Sequence, residues 1–274
     1  MPTLPAGPDP SPRSEPHRAR QAAESFGADP ARYDRTRPRY PRALVERIIN
    51  ASPGPEVLDV GIGTGVSAEP FREAGCRVLG IEVDPRMAAF ARSRGFAVDV
   101  ARFEDWEPAA RRFDAVIAGM TWHWIDPSAG AAKAAAVLRR AGHIAVFWNV
   151  QQPPVKMAAA FSEVYARVLP DTPFAAPPRH VSAAYDRILQ TTTAGIRATE
   201  AFTEPEPWWV EWERPYTREQ WLDQVPTFGG HSTFPDATLA ELVRGLGAVI
   251  DAAGGAFTMR YTAVALTASL ARRT

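Results

Sequence analysis

Apolar positions in the first half of the chain alternate between two periods. Leu44, Val45, Ile48 and Ile49 recur as one face of a helix, after the turn-like prolines Pro38 and Pro41. Ser52-Pro53-Gly54-Pro55 stops that helix. Val57-Leu58-Asp59-Val60 is then a short β-branched run of the kind buried in a parallel sheet, and it ends at a glycine cluster. The alternation continues with a helix from Val66 to Ala74, a strand from Arg77 to Glu82, and a helix opened by Asp84-Pro85 and closed by Gly95. Strands at Ala97 to Val100 and Phe113 to Ala118, a helix from Ser128 to Arg140 and a strand from His143 to Trp148 complete the series. Strands separated by helices predict βαβ crossovers, hence an α/β, Rossmann-like doubly wound sheet.

Beyond Val150 the pattern loosens. It predicts a helix at Pro153 to Leu169, a proline-rich loop at Pro170 to Pro178, a helix at Tyr185 to Ala194 and a tryptophan-rich strand or strand pair at Thr199 to Trp212. A helix at Thr217 to Gln224, capped by Thr217, precedes a longer amphipathic helix at Pro235 to Ala253 and a Thr-rich edge strand at Ala256 to Leu266. The expected division is a disordered Pro- and Arg-rich tail at 1–20, a Rossmann-like core at 21–150, a helical cap or insertion at 151–255, and a final strand within 256–274 that completes the core sheet.

Composition narrows the class. At 274 residues, 46% hydrophobic and 23% charged, the chain suits an ordinary globular protein rather than a disordered or fibrous one. The 31 basic residues cancel the 31 acidic ones, which removes the global electrostatic argument for a nucleic-acid protein. The single cysteine, Cys76, excludes an internal disulfide and any multi-cysteine metal centre, and fits a reducing cytoplasm. No apolar run is long enough for a membrane span, and the N-terminus lacks the pattern of a secretory signal.

The most informative segment is Asp59-Val60-Gly61-Ile62-Gly63-Thr64-Gly65. A strand ending in closely spaced glycines lets backbone N–H groups approach a ligand without Cβ obstruction. Glu82, ending the next strand, stands where a carboxylate can accept both hydroxyls of a ribose. The two together point to an adenosine-type ligand at the carboxyl edge of the sheet. A dinucleotide loop would want a small residue where Val66 stands, and no Gly-Lys-Ser/Thr of a phosphate loop follows.

The run Asp59-x-Gly61-x-Gly63-x-Gly65, the strand end Gly80-Ile81-Glu82 and the helix start Asp84-Pro85-Arg86-Met87 resemble class I S-adenosylmethionine-dependent methyltransferases. More narrowly, the chain is similar to the small-molecule group related to ubiquinone/menaquinone-biosynthesis and trans-aconitate methyltransferases. Tyr33-Asp34-Arg35-Thr36-Arg37-Pro38-Arg39-Tyr40-Pro41 looks like that group's Y-x-x-x-R-P-x-Y-P signature. The resemblance implies a mostly parallel sheet with an antiparallel last strand, an N-terminal lid helix, and S-adenosylmethionine as cofactor. It places Gly61, Gly63 and Gly65 against the methionine half, Asp59 near the amino group, Glu82 on the ribose, and Val83 or Met87 facing adenine. Phe103 and Glu104 would contact adenine beside Arg102, where the family frequently has aspartate, and Gly119 would offer a carbonyl to the ammonium. Tyr33 would lie over the sulfonium side, as a second catalytic candidate, with Arg37 on the cofactor carboxylate.

Methyl transfer from a sulfonium is an in-line displacement in which alignment supplies most of the acceleration, so a base is needed only when the nucleophile starts protonated. The candidate base is His123, within Thr121-Trp122-His123-Trp124, and His231 on a glycine-rich loop is a second. Trp122, His123, Trp124, Trp148, Trp208, Trp221, Phe228 and His231 are the expected acceptor-binding residues. Eight tryptophans in the chain suit an apolar pocket for a flat acceptor, phenol- or indole-like, methylated on O, N or C. No set of metal ligands is evident, and metal independence is the expectation. The expected partner is thus a small molecule rather than a membrane or nucleic acid, bound by a cytoplasmic monomer or homodimer. A tRNA or protein methyltransferase, or a non-catalytic nucleotide-binding module, stays open as an alternative.

Overall fold

A computed structural model describes residues 25–170, 172 and 181–271, so the expected tail at 1–20 and most of the loop at 170–178 lie outside the described residues. Helices α1 (Pro30–Thr36) and α2 (Arg42–Ala51) precede β1 (Glu56–Val60), α3 (Glu69–Glu73), β2 (Arg77–Glu82), α4 (Pro85–Ser93), β3 (Ala97–Val100) and β4 (Phe113–Gly119). Then come α5 (Pro127–Val137), β5 (Leu138–Gln152), α6 (Val155–Val168), α7 (Val181–Ala198), β6 (Glu206–Thr217), α8 (Arg218–Gln224), α9 (Asp236–Ala252) and β7 (Ala256–Ser269).

The strands form one sheet in the order β3-β2-β1-β4-β5-β7-β6. β1 pairs in parallel with both β2 and β4, and β4 in parallel with β5. The order therefore reverses between β1 and β4, and the carboxyl ends of these two strands open the crevice where doubly wound sheets bind ligands. β7 runs against its neighbours. Its Thr267 hydroxyl donates to the Glu206 carbonyl while Arg260 meets Glu213, and Leu270 donates to the Gly142 carbonyl while Thr262 meets Gln152. The fold is thus a mostly parallel Rossmann-like sheet with one antiparallel strand.

Sequence accounts for these elements locally. Val57, Leu58 and Val60 are buried on a strand covered on both faces. Asp84 caps α4 by accepting from the Arg86 N–H, and Pro85 fills the first helical position. At α8, Thr217 and Gln220 form a reciprocal capping box.

Several boundaries differ from the sequence reading. The helix expected from Val66 shortens to α3, which starts where Pro70 can occupy the first turn. The helix expected to reach Arg140 ends at Val137, because Leu138 pairs with Phe113 and begins β5. The tryptophan-rich strand lies later, as β6, and runs through Pro215; an edge strand tolerates proline because one side of its backbone needs no partner. The expected edge position of the last strand is wrong, since β7 lies inside the sheet and β6 forms the edge.

The chain divides into two compact units, each discontinuous, where the sequence reading has contiguous segments. The sheet unit comprises 38–149, 187–210 and 263 onward, and the second unit the residues up to 37, 150–186 and 211–262. The core of the second unit joins Phe161 and Tyr165 of α6, Trp221 of α8, Leu242 and Leu246 of α9, and Phe257. In the sheet unit, Ile62, Ala88, Ala91, Phe96 and Val98 pack α4 onto the strands. Among the described residues no helix is long and apolar enough to cross a membrane.

Candidate active site

The turn after β1 depends on three glycines, each in the left-handed region: Gly61 at φ 69°, Gly63 at φ 58° and Gly65 at φ 93°. Two of them are also pressed by neighbours. A Cβ on Gly61 would lie 2.1 Å from Thr121 Cγ2, and one on Gly65 would lie 2.5 Å from the Phe96 ring. Gly63 differs, because its Cβ would meet only Met87 Cε at 3.6 Å. Its bare backbone forms the open part of the cradle.

Glu82 closes this turn. Its Oε2 accepts from the Gly63 N–H at 2.8 Å, while Oε1 accepts from the N–H groups of Val83 and Asp84 at 2.8 and 2.9 Å. The carboxylate ties the glycine turn to the start of α4. Burial raises its pKa, opposed by those backbone donors. Asp59, fully buried on β1, accepts from Ser67 Oγ at 2.8 Å through Oδ2, and its Oδ1 has no partner. Burial pushes its carboxyl up to about 7, with the Ser67 hydrogen bond opposing and the charge of Glu82 adding.

Across the switch point, the chain leaves β4 through Met120, held at φ 56°. This bend brings the Thr121 hydroxyl within 3.2 Å of the Gly61 carbonyl and 3.1 Å of the Gly119 carbonyl, to which it donates. A Cβ on Gly119 would collide with Ser67 Cβ at 2.8 Å. Ser67 and Thr121 are absent from the sequence-based set. The only sequence signal for them is their place within a turn of the glycines and of Gly119.

Met87 is buried beside Gly63, and Val83 is 42% exposed at the end of β2. Phe103 is buried 6.2 Å from the Trp122 ring. Glu104 accepts from the Asp126 N–H at 3.2 Å and faces Arg102 at 3.6 Å, so the residue that departs from the family pattern is itself drawn into an ion pair. His123 is buried and accepts from the indole N–H of Trp148 at 3.3 Å; burial lowers its pKa to about 3. Trp124 packs 4.8 Å from the His123 ring and is partly exposed.

Other expected acceptor residues are engaged elsewhere. Trp208 is held between the Arg47 guanidinium, 4.0 Å from its centre, and the His143 ring, stacked at 5.8 Å, so its faces are taken. Trp221 is wholly enclosed in the second unit, stacked on Phe161 at 5.9 Å and edge-on to Tyr216. His231, expected as a second base on an open loop, is instead buried with Nε2 2.9 Å from the Tyr165 hydroxyl and Nδ1 near the Gly229 carbonyl. Burial holds its pKa at about 4. Tyr33, Arg37 and Phe228 share one cluster of the second unit, where the Arg37 guanidinium donates to the Thr227 carbonyl and lies 4.5 Å from the Tyr33 ring and 5.5 Å from that of Phe228.

The sheet-unit donor set suits the group that the sequence resemblance implies. Two buried carboxyls, neither ion-paired, are each driven toward neutrality by their surroundings, and a ligand bearing an ammonium, a sulfonium and hydroxyls would reverse that. The unpartnered Oδ1 of Asp59 needs a donor, and the open backbone at Gly63 admits close approach.

Residues 58–146 match the methyltransferase domain family. Over 151 residues the chain is 29% identical to an uncharacterized methyltransferase of Mycobacterium tuberculosis (strain ATCC 25618 / H37Rv), covering 54% of this chain and 61% of that protein. It therefore spans about three-fifths of the length of this relative. A demethylmenaquinone methyltransferase of Tropheryma whipplei (strain Twist) is 44% identical over 48 residues, 18% of this chain and 20% of that one. The solved structure of a protein from Anaeromyxobacter dehalogenans, described as a type II methyltransferase, has the same fold, with a TM-score of 0.60 at 22% identity over 86% of this chain and 99% of that one. The glycine turn and strands β2 to β4 all fall within the stretch, residues 58–146, that matches the methyltransferase domain family.

Proposed function

We propose that the chain moves a methyl group from S-adenosylmethionine to a small-molecule acceptor. The observation that carries this reading is the pair of buried carboxyls about an open glycine turn: Asp59 with an unpartnered oxygen, and Glu82 bound to the Gly63 N–H. In this reading Asp59 takes the ammonium, Glu82 accepts from the ribose hydroxyls, and Gly61, Gly63 and Gly65 let the ligand lie against the backbone. Val83, Met87, Phe103 and Glu104 border the adenine, and the Gly119 carbonyl faces the ammonium. Bound there, the cofactor supplies an activated methyl, so the protein's share is alignment, worth up to ~7 to 11 kcal/mol for well-oriented reactants.

His123 enters this reading as a hydrogen-bond donor. An indole can only donate, so Nδ1 of His123 holds the lone pair and the proton sits on Nε2, which has no partner. A flat, phenol- or indole-like acceptor agrees with the partly exposed Trp124 ring beside that imidazole. The lone buried thiol of Cys76 fits a cytoplasmic location.

Calorimetric titration with S-adenosylhomocysteine tests the cofactor part. Binding by the wild type, reduced at least tenfold in Glu82→Ala, is expected; a wild type that binds nothing overturns it. Label transfer from methyl-tritiated cofactor over phenols, indoles, small acids, tRNA and protein then tests the acceptor class, and label in tRNA or protein alone would replace the small-molecule reading.

A further inference from the structure

Ser67 lies in the turn between Gly65 and α3 and is 5% exposed. Its Oγ donates to Oδ2 of Asp59 at 2.8 Å, and a hydroxyl has one proton to give, so this bond spends it. A carboxylate can accept on both oxygens, yet Oδ1 of the fully buried Asp59 has no partner. Ser67 thus divides the carboxyl into one oxygen held by the protein and one turned to another donor. Native structures leave few buried acceptors unsatisfied, and each calls for such a donor.

Ser67 is itself fixed from the other side of the crevice. A Cβ on Gly119, at the end of β4, would lie 2.8 Å from Ser67 Cβ, 2.9 Å from Phe147 Cε2 and 3.1 Å from the Tyr40 hydroxyl oxygen. Tyr40 packs edge-on to Phe147 at 4.6 Å, and Phe147 faces Phe71 of α3 at 6.5 Å. The serine thus bridges the ends of β1 and β4, by its hydroxyl on one side and its Cβ on the other. Along the sheet Asp59 lies opposite Gly80 of β2 and Ile117 of β4, and the carboxylate that acts on it is Glu82. Glu69, beyond Ser67 on α3, is paired with Arg94 and Arg39. Burial and Glu82 favour the protonated form of Asp59, and the Ser67 hydroxyl is the group that opposes them.

We infer that Ser67 is a positioning residue for the cofactor: it holds Asp59 by Oδ2 so that Oδ1 receives the ammonium. The inference rests on the methyltransferase reading, which gives the ammonium to Asp59 and to the Gly119 carbonyl, and Ser67 is packed against both of those residues. A carboxyl protonated on Oδ1 would meet the ammonium donor to donor. Without the Ser67 hydroxyl, Asp59 keeps its proton to higher pH and loses the bond that orients it, so a ligand that carries an ammonium loses affinity. A ligand that lacks one does not. A serine that only supported the turn would make no such distinction.

Titration calorimetry on the full chain tests this with S-adenosylhomocysteine and its deamino analogue, which has hydrogen in place of the amino group and keeps both the carboxylate and the adenosine. At about pH 7, Ser67→Ala is expected to weaken S-adenosylhomocysteine about tenfold, the scale of one hydrogen bond to a charged group, and to leave the deamino analogue within twofold of wild type. Wild-type affinity for S-adenosylhomocysteine should fall on acidification, and in Ser67→Ala the midpoint of that fall should move to higher pH. The deamino analogue should not show that move. In an Asp59→Asn background, Ser67→Ala should add nothing to the loss already present. Loss of both ligands alike in Ser67→Ala, loss of neither, or an unmoved midpoint overturns the inference and leaves the cofactor reading standing. A wild type that binds neither ligand refutes that reading and the inference with it.

Discussion

The indole N–H of Trp148 points at Nδ1 of His123 across 3.3 Å, and both rings are buried. This contact fixes the imidazole as the Nε2–H tautomer, and burial, which lowers its pKa to about 3, keeps the ring neutral around pH 7. A base needs a free lone pair, and the one here is taken. Turnover between pH 5 and 8 should therefore show no titration that depends on His123. His123→Asn, which keeps a donor, should hold turnover close to wild type, whereas His123→Leu should lower it by about fivefold or more, the worth of one hydrogen bond. An acidic limb near pH 6.5 in the wild type that disappears in His123→Asn would restore the base role.

The glycines should separate by position. Gly61→Ala forces a Cβ to 2.1 Å from Thr121 in a left-handed residue, and is expected to lower stability by about 3 kcal/mol or more, or about 6 °C in Tm. Gly63→Ala meets nothing closer than 3.6 Å, so its stability cost should be only about 1 kcal/mol of backbone strain. Its loss should instead appear as at least tenfold weaker binding of S-adenosylhomocysteine by calorimetry.

Glu82→Gln probes the clasp. The amide can still accept from Val83 and Asp84, but its NH2 group would face the Gly63 N–H, donor against donor. Stability should fall by about 2 kcal/mol, the scale of a charged hydrogen bond lost in a buried site. Thermal scans with and without S-adenosylhomocysteine should show a lower Tm and a diminished ligand-induced rise.

Trp221 and Trp124 should behave differently. Trp221→Ala removes a wholly buried ring that touches Phe161, Tyr216, Phe228 and Phe257, and should cost about 3 to 5 kcal/mol by denaturant unfolding. Trp124 is partly exposed, so Trp124→Ala should leave the unfolding midpoint nearly unchanged while raising KM for a flat acceptor.

Acidification should destabilise the fold early. His123, His143 and His231 are held neutral by burial, at about 3, 4 and 4, whereas in the unfolded chain they take up protons below about 6.5. Their contribution is complete above pH 6.5 and is lost as pH falls toward 4. Asp59, at about 7 in the fold, works oppositely, since its stabilisation is complete below about 3.9 and fades as pH rises through 7. Three histidines against Asp59 and Glu82, both raised by burial, leave stability rising with pH between 4 and 6.5, by up to about 1.4 kcal/mol per pH unit. Tm measured by calorimetry should follow this slope, and His143→Asn should flatten it.

The glycine turn and its carboxylate are legible in sequence because backbone geometry demands them. Left-handed residues call for glycine, and a strand end beside the turn places one carboxylate, so Gly61, Gly63, Gly65 and Glu82 come together as their spacing implies. What the chain does with its aromatics is not legible in that way. Trp208, Trp221 and Trp124 look alike along the sequence, yet one is sandwiched, one is core and one is partly exposed, and that difference arises from strands and helices distant in sequence. His231 misleads for the same reason. Its Gly229-Gly230 flank suggests an open loop, but Tyr165, 66 positions earlier, draws the imidazole inside.

β7 shapes how the sheet can be assembled. Since β6 touches the sheet only through β7, and β7 follows it in the chain, β6 has no hydrogen-bonding edge to join until the later strand has docked on β5. During that interval Trp208 and Trp209 sit on an unpaired strand, and Trp209 keeps 56% of its surface exposed even in the finished fold. Closure of the sheet is therefore a late, long-range step, and the passage from nascent chain to native protein is most exposed to misassociation at this tryptophan-bearing edge.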